Sequence, residues 1–345
     1  MTKIMIKILL VNLFISLFGC QNNENIDTYL NRLHEKGELN GNVLVIKDGK
    51  TLYENSFGFT DATKNTMLNK DYRFNLGSVY KEFPAVAIMQ LKEKKQINLD
   101  DKVSDYMVEL PKWSEKISIK QLLQYSSGLP LIPWDDFFNK NINVTDNDIM
   151  EGLQGLERLE FEPGSDYLYS NNNPILLIKI IENITKTSFK EYVQEEILNP
   201  LGMSGTVIKD HYPYKDKTLM AIPFDTDFKE DDYKISVKSL LFSSTTHDMA
   251  IWLEQLGNFK IISKQSVKTL SEEAKDGYNI QAPLGRCDWE NGKIIEHYHH
   301  GSSASYECVV RRFKQDGVSI IILTNQKHGN VDEISDEIYE IVTSE

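Results

Sequence analysis

The sequence predicts an α+β fold in which one antiparallel sheet is built from both ends of the chain, flanked by helices, with a mostly helical lobe inserted between them. Three observations carry this. A hairpin pattern occupies residues 42–57, three strand patterns follow one another over residues 293–324, and the stretch between them, about 95–235, has mostly helical spacing broken by polar loops. Strands at two distant ends can share one core only if the ends meet.

Taken in order, residues 26–36 place Ile26, Leu30 and Leu33 on one helix face. Residues 42–46 and 51–57 are strand-like runs joined by Asp48-Gly49, a strong hairpin turn signal. Residues 75–91, NLGSVYKEFPAVAIMQL, predict a helix from near Ser78 to about Lys94. Pro84 would remove a hydrogen bond in its second turn, so a kink or an irregular start is expected. Residues 120–125 lead into the loop Ser127-Gly128-Leu129-Pro130, Pro163-Gly164 marks a turn, and residues 174–184 form an apolar helix. Residues 212–233, acidic and aromatic, read as an exposed irregular excursion, and residues 246–257 as a helix. Residues 293–300, 306–313 and 318–324 are strands, the last two joined at Gln315-Asp316-Gly317, and residues 331–342 close the chain as a helix.

At 345 residues the chain can bury a sizeable core. Its 51 acidic against 38 basic residues, a formal charge of -13, repel phosphate backbones and exclude nucleic acid as a partner class. Lys3 and Lys7 precede an apolar run over residues 8–18, then Gly19-Cys20 and a polar stretch, which is the pattern of an export signal. The run is short of the about 20 apolar residues a membrane helix needs. Leu17-Phe18-Gly19-Cys20 resembles a bacterial lipoprotein signal, which implies cleavage after residue 19 and a lipid on Cys20. Phe18 stands where that signal usually has a small residue, so plain secretion or an uncleaved anchor stays open. Cys287 and Cys308 remain, either paired or as two buried thiols.

Ser78 and Lys81 are three residues apart, hence on one helix face, with the serine near an N-terminus that favours a developing anion. A serine hydroxyl needs a neighbour to take its proton, and Lys81 is placed to help. Ser78-Val79-Tyr80-Lys81 is the sole S-x-x-K of the sequence. Of three Y-x-N patterns, Tyr169-Ser170-Asn171 alone follows it, after Pro163-Gly164. Among K-x-G or H-x-G patterns, Lys47-Asp48-Gly49 comes too early, Lys275-Asp276-Gly277 lies in a polar loop, and Lys327-His328-Gly329 follows the final strand. His299-His300-Gly301 is followed by two strands and a closing helix.

In this order the motifs resemble those of the serine β-lactamase and penicillin-binding-protein superfamily, in its class C β-lactamase, D-peptidase and esterase branch. Leu122 to Pro130 and Pro200-Leu201-Gly202-Met203 resemble further landmarks of that branch. The resemblance implies a β-lactamase/transpeptidase-like domain over residues 42–345, after a signal at 1–19 and an anchor, linker and helix at 20–41. It implies Ser78 as nucleophile, Lys81 and Tyr169 as its catalytic partners, and Tyr169 as a phenolate favoured by the nearby cation. It further implies Asn171 holding Lys81 and the substrate amide, His299 and Gly301 on the substrate-binding strand, and Ser302 completing an oxyanion hole with the N–H of Ser78.

Lysine at position 299 would give a fixed charge for a substrate carboxylate, whereas histidine is largely neutral at pH 7. Hydrolysis of a D-amino-acid peptide amide or an ester is therefore placed ahead of β-lactam hydrolysis. A catalytically silent, penicillin-binding-like lipoprotein acting as a binding factor is the alternative of another class. The expected partners are a small-molecule or short-peptide substrate and, through Cys20, the cell-envelope membrane; the chain is expected to act as a monomer without a cofactor. His297 and His299 share a strand face, but no third ligand stands at diagnostic spacing, and no metal is expected.

Overall fold

The computed structural model describes residues 25–277 and 280–344, so the expected signal peptide and Cys20 lie outside the described residues. The main sheet has strands β1 (Gly41–Lys47), β2 (Lys50–Phe57), β3 (Arg286–Glu290), β4 (Lys293–Ser303), β5 (Tyr306–Phe313) and β6 (Val318–Thr324) in the order β2-β1-β6-β5-β4-β3. Both chain ends therefore meet at the β1 to β6 pairing, where Val43 faces Ile322 and Leu44 faces Ile321. The hairpin closes as expected, with Asp48 at φ 50° and Gly49 at φ 73°, the backbone that a two-residue turn of this hand requires.

Helices α1 (Ile26–Glu35), α2 (Glu82–Glu93), α3 (Asn172–Thr185), α4 (Thr246–Gly257) and α5 (Val331–Thr343) are the long ones among the described residues. Period-two alternation divides the sheet's side chains between two cores. Val43, Val45, Ile320 and Ile322 pack with Leu30, Ile334 and Ile338 of α1 and α5. Leu44, Ile321 and Leu323 face the lobe with Met249, Trp252 and Leu253 of α4. β6 is buried on both faces, which is why VSIIILT reads as an almost unbroken apolar run.

The structure shows the irregular helix start expected around Pro84 and departs from expectation at two other places that matter. The helix expected from Ser78 is a 3-10 turn, Gly77–Lys81, which passes into α2 at Glu82. Pro84 thus falls in the first turn of the α-helix, where a missing N–H costs least, and the irregular start accommodates it without a kink at mid-helix. Residues 212–233 are not an exposed excursion. Tyr212, Tyr214, Met220, Ile222 and Phe224 are buried, and the Tyr212 and Tyr233 rings stack at 4.5 Å, so the apolar half of the segment packs inward while Asp216, Asp227 and Asp232 are exposed. The edge strand β3 went unread because Arg-Cys-Asp-Trp-Glu alternates weakly and pairs irregularly with β4.

Cys287 and Cys308 are buried free thiols. Among the described residues no helix is long and apolar enough to cross a membrane.

Candidate active site

The 3-10 turn sets the first relationship in the site. In such a turn residues i and i+3 eclipse, and Lys81 Nζ donates to Ser78 Oγ at 2.8 Å. Gly77 begins the turn at φ 48°, and a Cβ there would lie 2.3 Å from the backbone nitrogen of Ser302. Gly301 is similarly constrained, since its Cβ would lie 2.1 Å from the Leu76 carbonyl oxygen. The two glycines allow the backbone around Ser78 to lie directly against β4, which carries His299, Gly301 and Ser302.

Tyr169 and Asn171 lie in the segment entering α3. Ser170 Oγ donates to the Pro130 carbonyl at 2.5 Å, and Ser127 Oγ donates to Asn173 Oδ1 at 2.6 Å, so the Ser126-Ser127-Gly128-Leu129-Pro130 loop pins this segment. Tyr125 packs on Tyr169 with ring centroids 4.7 Å apart. Lys81 Nζ stands 4.5 Å from the Tyr169 ring centroid. Ser78, Lys81, Asn171 and Ser302 therefore share one cleft of about 400 Å³, which is also lined by the largely apolar side chains of Trp134, Phe138, Tyr233 and Leu241.

Burial sets the electrostatics. It lowers Lys81 to about 7, and it pushes Tyr169 up to about 12, against the smaller opposing effect of the Ser78 and Tyr125 hydroxyls. The phenolate expected from a neighbouring cation is thus not what this environment favours: burial raises the phenol, and the same burial lowers Lys81 toward the neutral amine. The Tyr169 hydroxyl is buried and without a hydrogen-bond partner, as is Asn171 Oδ1, so the expected bond from Asn171 to Lys81 is not made.

His299 is placed differently from a cleft-lining residue. It is 2% exposed, and its Nδ1 lies 2.7 Å from Glu82 Oε1. His297 Nε2 lies 2.9 Å from the same oxygen and 3.1 Å from the Leu284 carbonyl, while Trp252 Nε1 donates to Glu82 Oε2 at 2.6 Å. Burial alone would raise Glu82, but the charges and N–H groups of His297 and His299 outweigh it and hold the carboxyl at about 2. Burial likewise opposes a charge on His297, yet the Glu82 carboxylate wins and its pKa is raised. His299 is lowered, by burial first and then by the charges of His297 and Lys81. Both rings spend their facing nitrogens on one carboxylate oxygen, and no group of three or more His, Cys, Asp or Glu among the described residues is arranged to hold a metal.

Two residues of this region escaped the sequence reading. Glu82 could have been noticed as a lone acid heading the apolar run EFPAVAIM. Lys327, set aside with its K-x-G pattern, donates to Ser302 Oγ at 2.7 Å and brings a cation to the cleft rim.

The sequence profile of the Beta-lactamase family matches residues 26–344. The chain belongs to this family. Within it, the chain is 27% identical over 332 residues to Penicillin-binding protein 4* of Bacillus subtilis, an alignment covering 88% of this chain and 72% of that one. It is 28% identical over 319 residues to Protein flp of Staphylococcus aureus, covering 88% of this chain but 63% of that protein, which is therefore substantially longer. Among solved structures, a penicillin binding protein from Bacillus halodurans superposes with a TM-score of 0.79 at 21% identity, over 91% of this chain and 99% of that one. The D-amino acid amidase of Ochrobactrum anthropi superposes with a TM-score of 0.76 at 18% identity, over 92% and 98%. At these identities the superpositions establish the β-lactamase/transpeptidase-like α+β fold.

Proposed function

We propose that the chain is a serine hydrolase that passes through an acyl-enzyme on Ser78, acting on a D-amino-acid peptide amide or a carboxylic ester. The observation that carries the reading is the 2.8 Å contact of Ser78 Oγ with a Lys81 amine that burial holds near 7. A neutral amine there takes the Ser78 proton as Oγ bonds to the carbonyl carbon. The N–H groups of Ser78 and Ser302 receive the oxyanion. The proton returns to the leaving nitrogen or oxygen by way of Lys81 and the neutral Tyr169 hydroxyl, and water then releases the acid. Asn171 binds the substrate amide with its unpartnered carbonyl oxygen.

Placing amides and esters ahead of β-lactams is supported by His299, which is buried, lowered and turned to Glu82, so that the cation at the cleft rim comes from Lys327, held on Ser302 Oγ, and not from the substrate-binding strand. The apolar wall suits an acyl group with an aromatic or aliphatic side chain. In this proposal the substrate is a small molecule or short peptide, and the chain is an exported monomer anchored by lipid on Cys20.

The decisive experiment incubates the protein with a fluorophosphonate and with labelled penicillin, then screens D-alanyl peptides, aryl esters and a chromogenic cephalosporin. A covalent adduct on Ser78, absent from Ser78→Ala, is expected. An unlabelled wild type, under conditions that label an active relative, would favour the silent binding protein instead.

A further inference from the structure

Lys327 has no part in the acyl transfer above, yet the fold delivers it to the same cleft. The backbone on both sides of it is tied down. Asn325 is 0% exposed and its Nδ2 donates to the Ile222 carbonyl at 2.9 Å, Gln326 Nε2 donates to the Asp225 carbonyl at 3.0 Å, and the Gly329 N–H donates to Glu307 Oε2 at 2.9 Å. From this fixed turn the exposed lysine reaches Ser302, where Nζ donates to Oγ at 2.7 Å. Among the described residues no carboxylate pairs with it: Glu307 of β5 spends Oε1 on His300 Nε2 and Oε2 on the Gly329 N–H, and feels the Lys327 charge only at longer range. The cleft itself is free of negative charge. The chain carries 51 acidic residues, and none of them is among the residues that line it. Its other cation, Lys81, is committed to Ser78.

Reach decides what Lys327 can bind. Three bonds of about 1.5 Å join Ser302 Oγ to the Ser302 nitrogen, so Nζ stands within about 7 Å of that proposed oxyanion donor. In a peptide, the carboxylate carbon of the residue after the scissile amide is also three bonds from the carbonyl carbon, hence within about 4.5 Å of it. A carbonyl oxygen seated on the Ser302 N–H therefore leaves that carboxylate in reach of two donors. One is the Lys327 ammonium, and the other is the Ser302 hydroxyl, which accepts from Lys327 and keeps its own hydrogen to donate.

We propose that Lys327, with the Ser302 hydroxyl, binds the free C-terminal carboxylate of a peptide whose last amide bond is cleaved on Ser78. The charge that a lysine at position 299 would have given from β4 comes instead from the loop after β6. The proposal narrows the substrate from amides and esters in general to peptides with an unblocked C-terminus. It rests on the acyl-transfer reading, and the two can fail separately.

The experiment compares N-acetyl-D-alanyl-D-alanine with its C-terminal carboxamide, following release of the C-terminal residue, in wild type, Lys327→Gln and Lys327→Arg. The side chain is exposed, so neither substitution should disturb folding. Wild type should favour the free acid by about tenfold in kcat/KM, as expected of a charge-assisted hydrogen bond at a partly solvated site. Lys327→Gln should reduce this preference to less than about twofold, through KM rather than kcat, and Lys327→Arg should keep it. Equal use of acid and carboxamide by wild type overturns the inference. So does a Lys327→Gln variant that keeps the preference, or one that loses both substrates equally, which would mean that Lys327 only braces Ser302. Fluorophosphonate labelling of Ser78 tests the acyl-transfer reading by itself. If neither peptide is cleaved, calorimetric binding decides: the free acid should bind wild type about tenfold tighter than the carboxamide and lose that advantage in Lys327→Gln, whereas equal affinity, or binding of neither, overturns the carboxylate site.

Discussion

Gly77 approaches Ser302 so closely that a Cβ on the glycine would lie 2.3 Å from the Ser302 backbone nitrogen. The turn that carries Ser78 and the strand opposite are thus in backbone contact, with no room for a side chain between them. Gly77→Ala combines this overlap with a left-handed backbone, φ 48°, and should cost about 1–3 kcal/mol or more. Urea unfolding and the acylation rate should both record it. Activity should fall further than stability, since the displaced atoms belong to the proposed oxyanion site. An alanine variant with wild-type rate and stability would refute the close approach.

Lys81 is held near 7 by burial, so the fraction present as free amine grows as pH rises through that value. The acylation rate constant should climb about tenfold per pH unit below 7 and level off above it. Tyr169, pushed up to about 12, should add no second limb in the accessible range. A rate that is flat from pH 5 to 8 would remove Lys81 as the proton acceptor.

Tyr169→Phe separates function from packing. The hydroxyl it removes is buried beside the Ser78 and Tyr125 hydroxyls without a well-formed hydrogen bond to either, so the variant should be close to wild type in stability. Its acylation rate should nevertheless fall by about 10²–10⁴ because a proton-transfer group is lost. Equal activity in the two proteins would show that the phenol serves only as a wall of the cleft.

Glu82 also governs stability against acid. Its folded pKa, about 2, lies below its unfolded value, so the stabilisation is present above about 4.5 and is lost as pH falls toward 2. The contribution is on the order of 3 kcal/mol. The stability gap between wild type and Glu82→Gln, measured by denaturant titration, should shrink across that window. His297 acts in the opposite sense: its pKa is raised, so its contribution is complete below about 6.5 and fades as pH rises through the folded value. A gap that stays constant between pH 5 and pH 2 would show that Glu82 is not ionised in the fold.

Much of the architecture was legible because it depends on local signals. Asp48-Gly49 specifies a turn, the alternation of Val43, Leu44 and Val45 specifies a strand with two covered faces, and the apolar run of residues 174–184 specifies a buried helix. Ser78, Lys81, Tyr169 and Asn171 were likewise readable from motif order, and the fold gathers them around one cleft. Less legible were features whose cause lies elsewhere in the chain. The 212–233 segment looked exposed because its acids dominate the count, while its tyrosines find a core supplied by other elements.

The sequence by itself determined that a hairpin and three strands bracket a helical lobe, and that a serine and a lysine lie one turn apart. Protonation was decided only by the tertiary structure. Lys81 is depressed because the fold buries it, Tyr169 stays a phenol for the same reason, and His299 turns from the cleft to a carboxylate 217 residues away in the chain. A pKa depends on solvent exclusion and on charges a few ångströms away, and neither exists until distant segments have packed together.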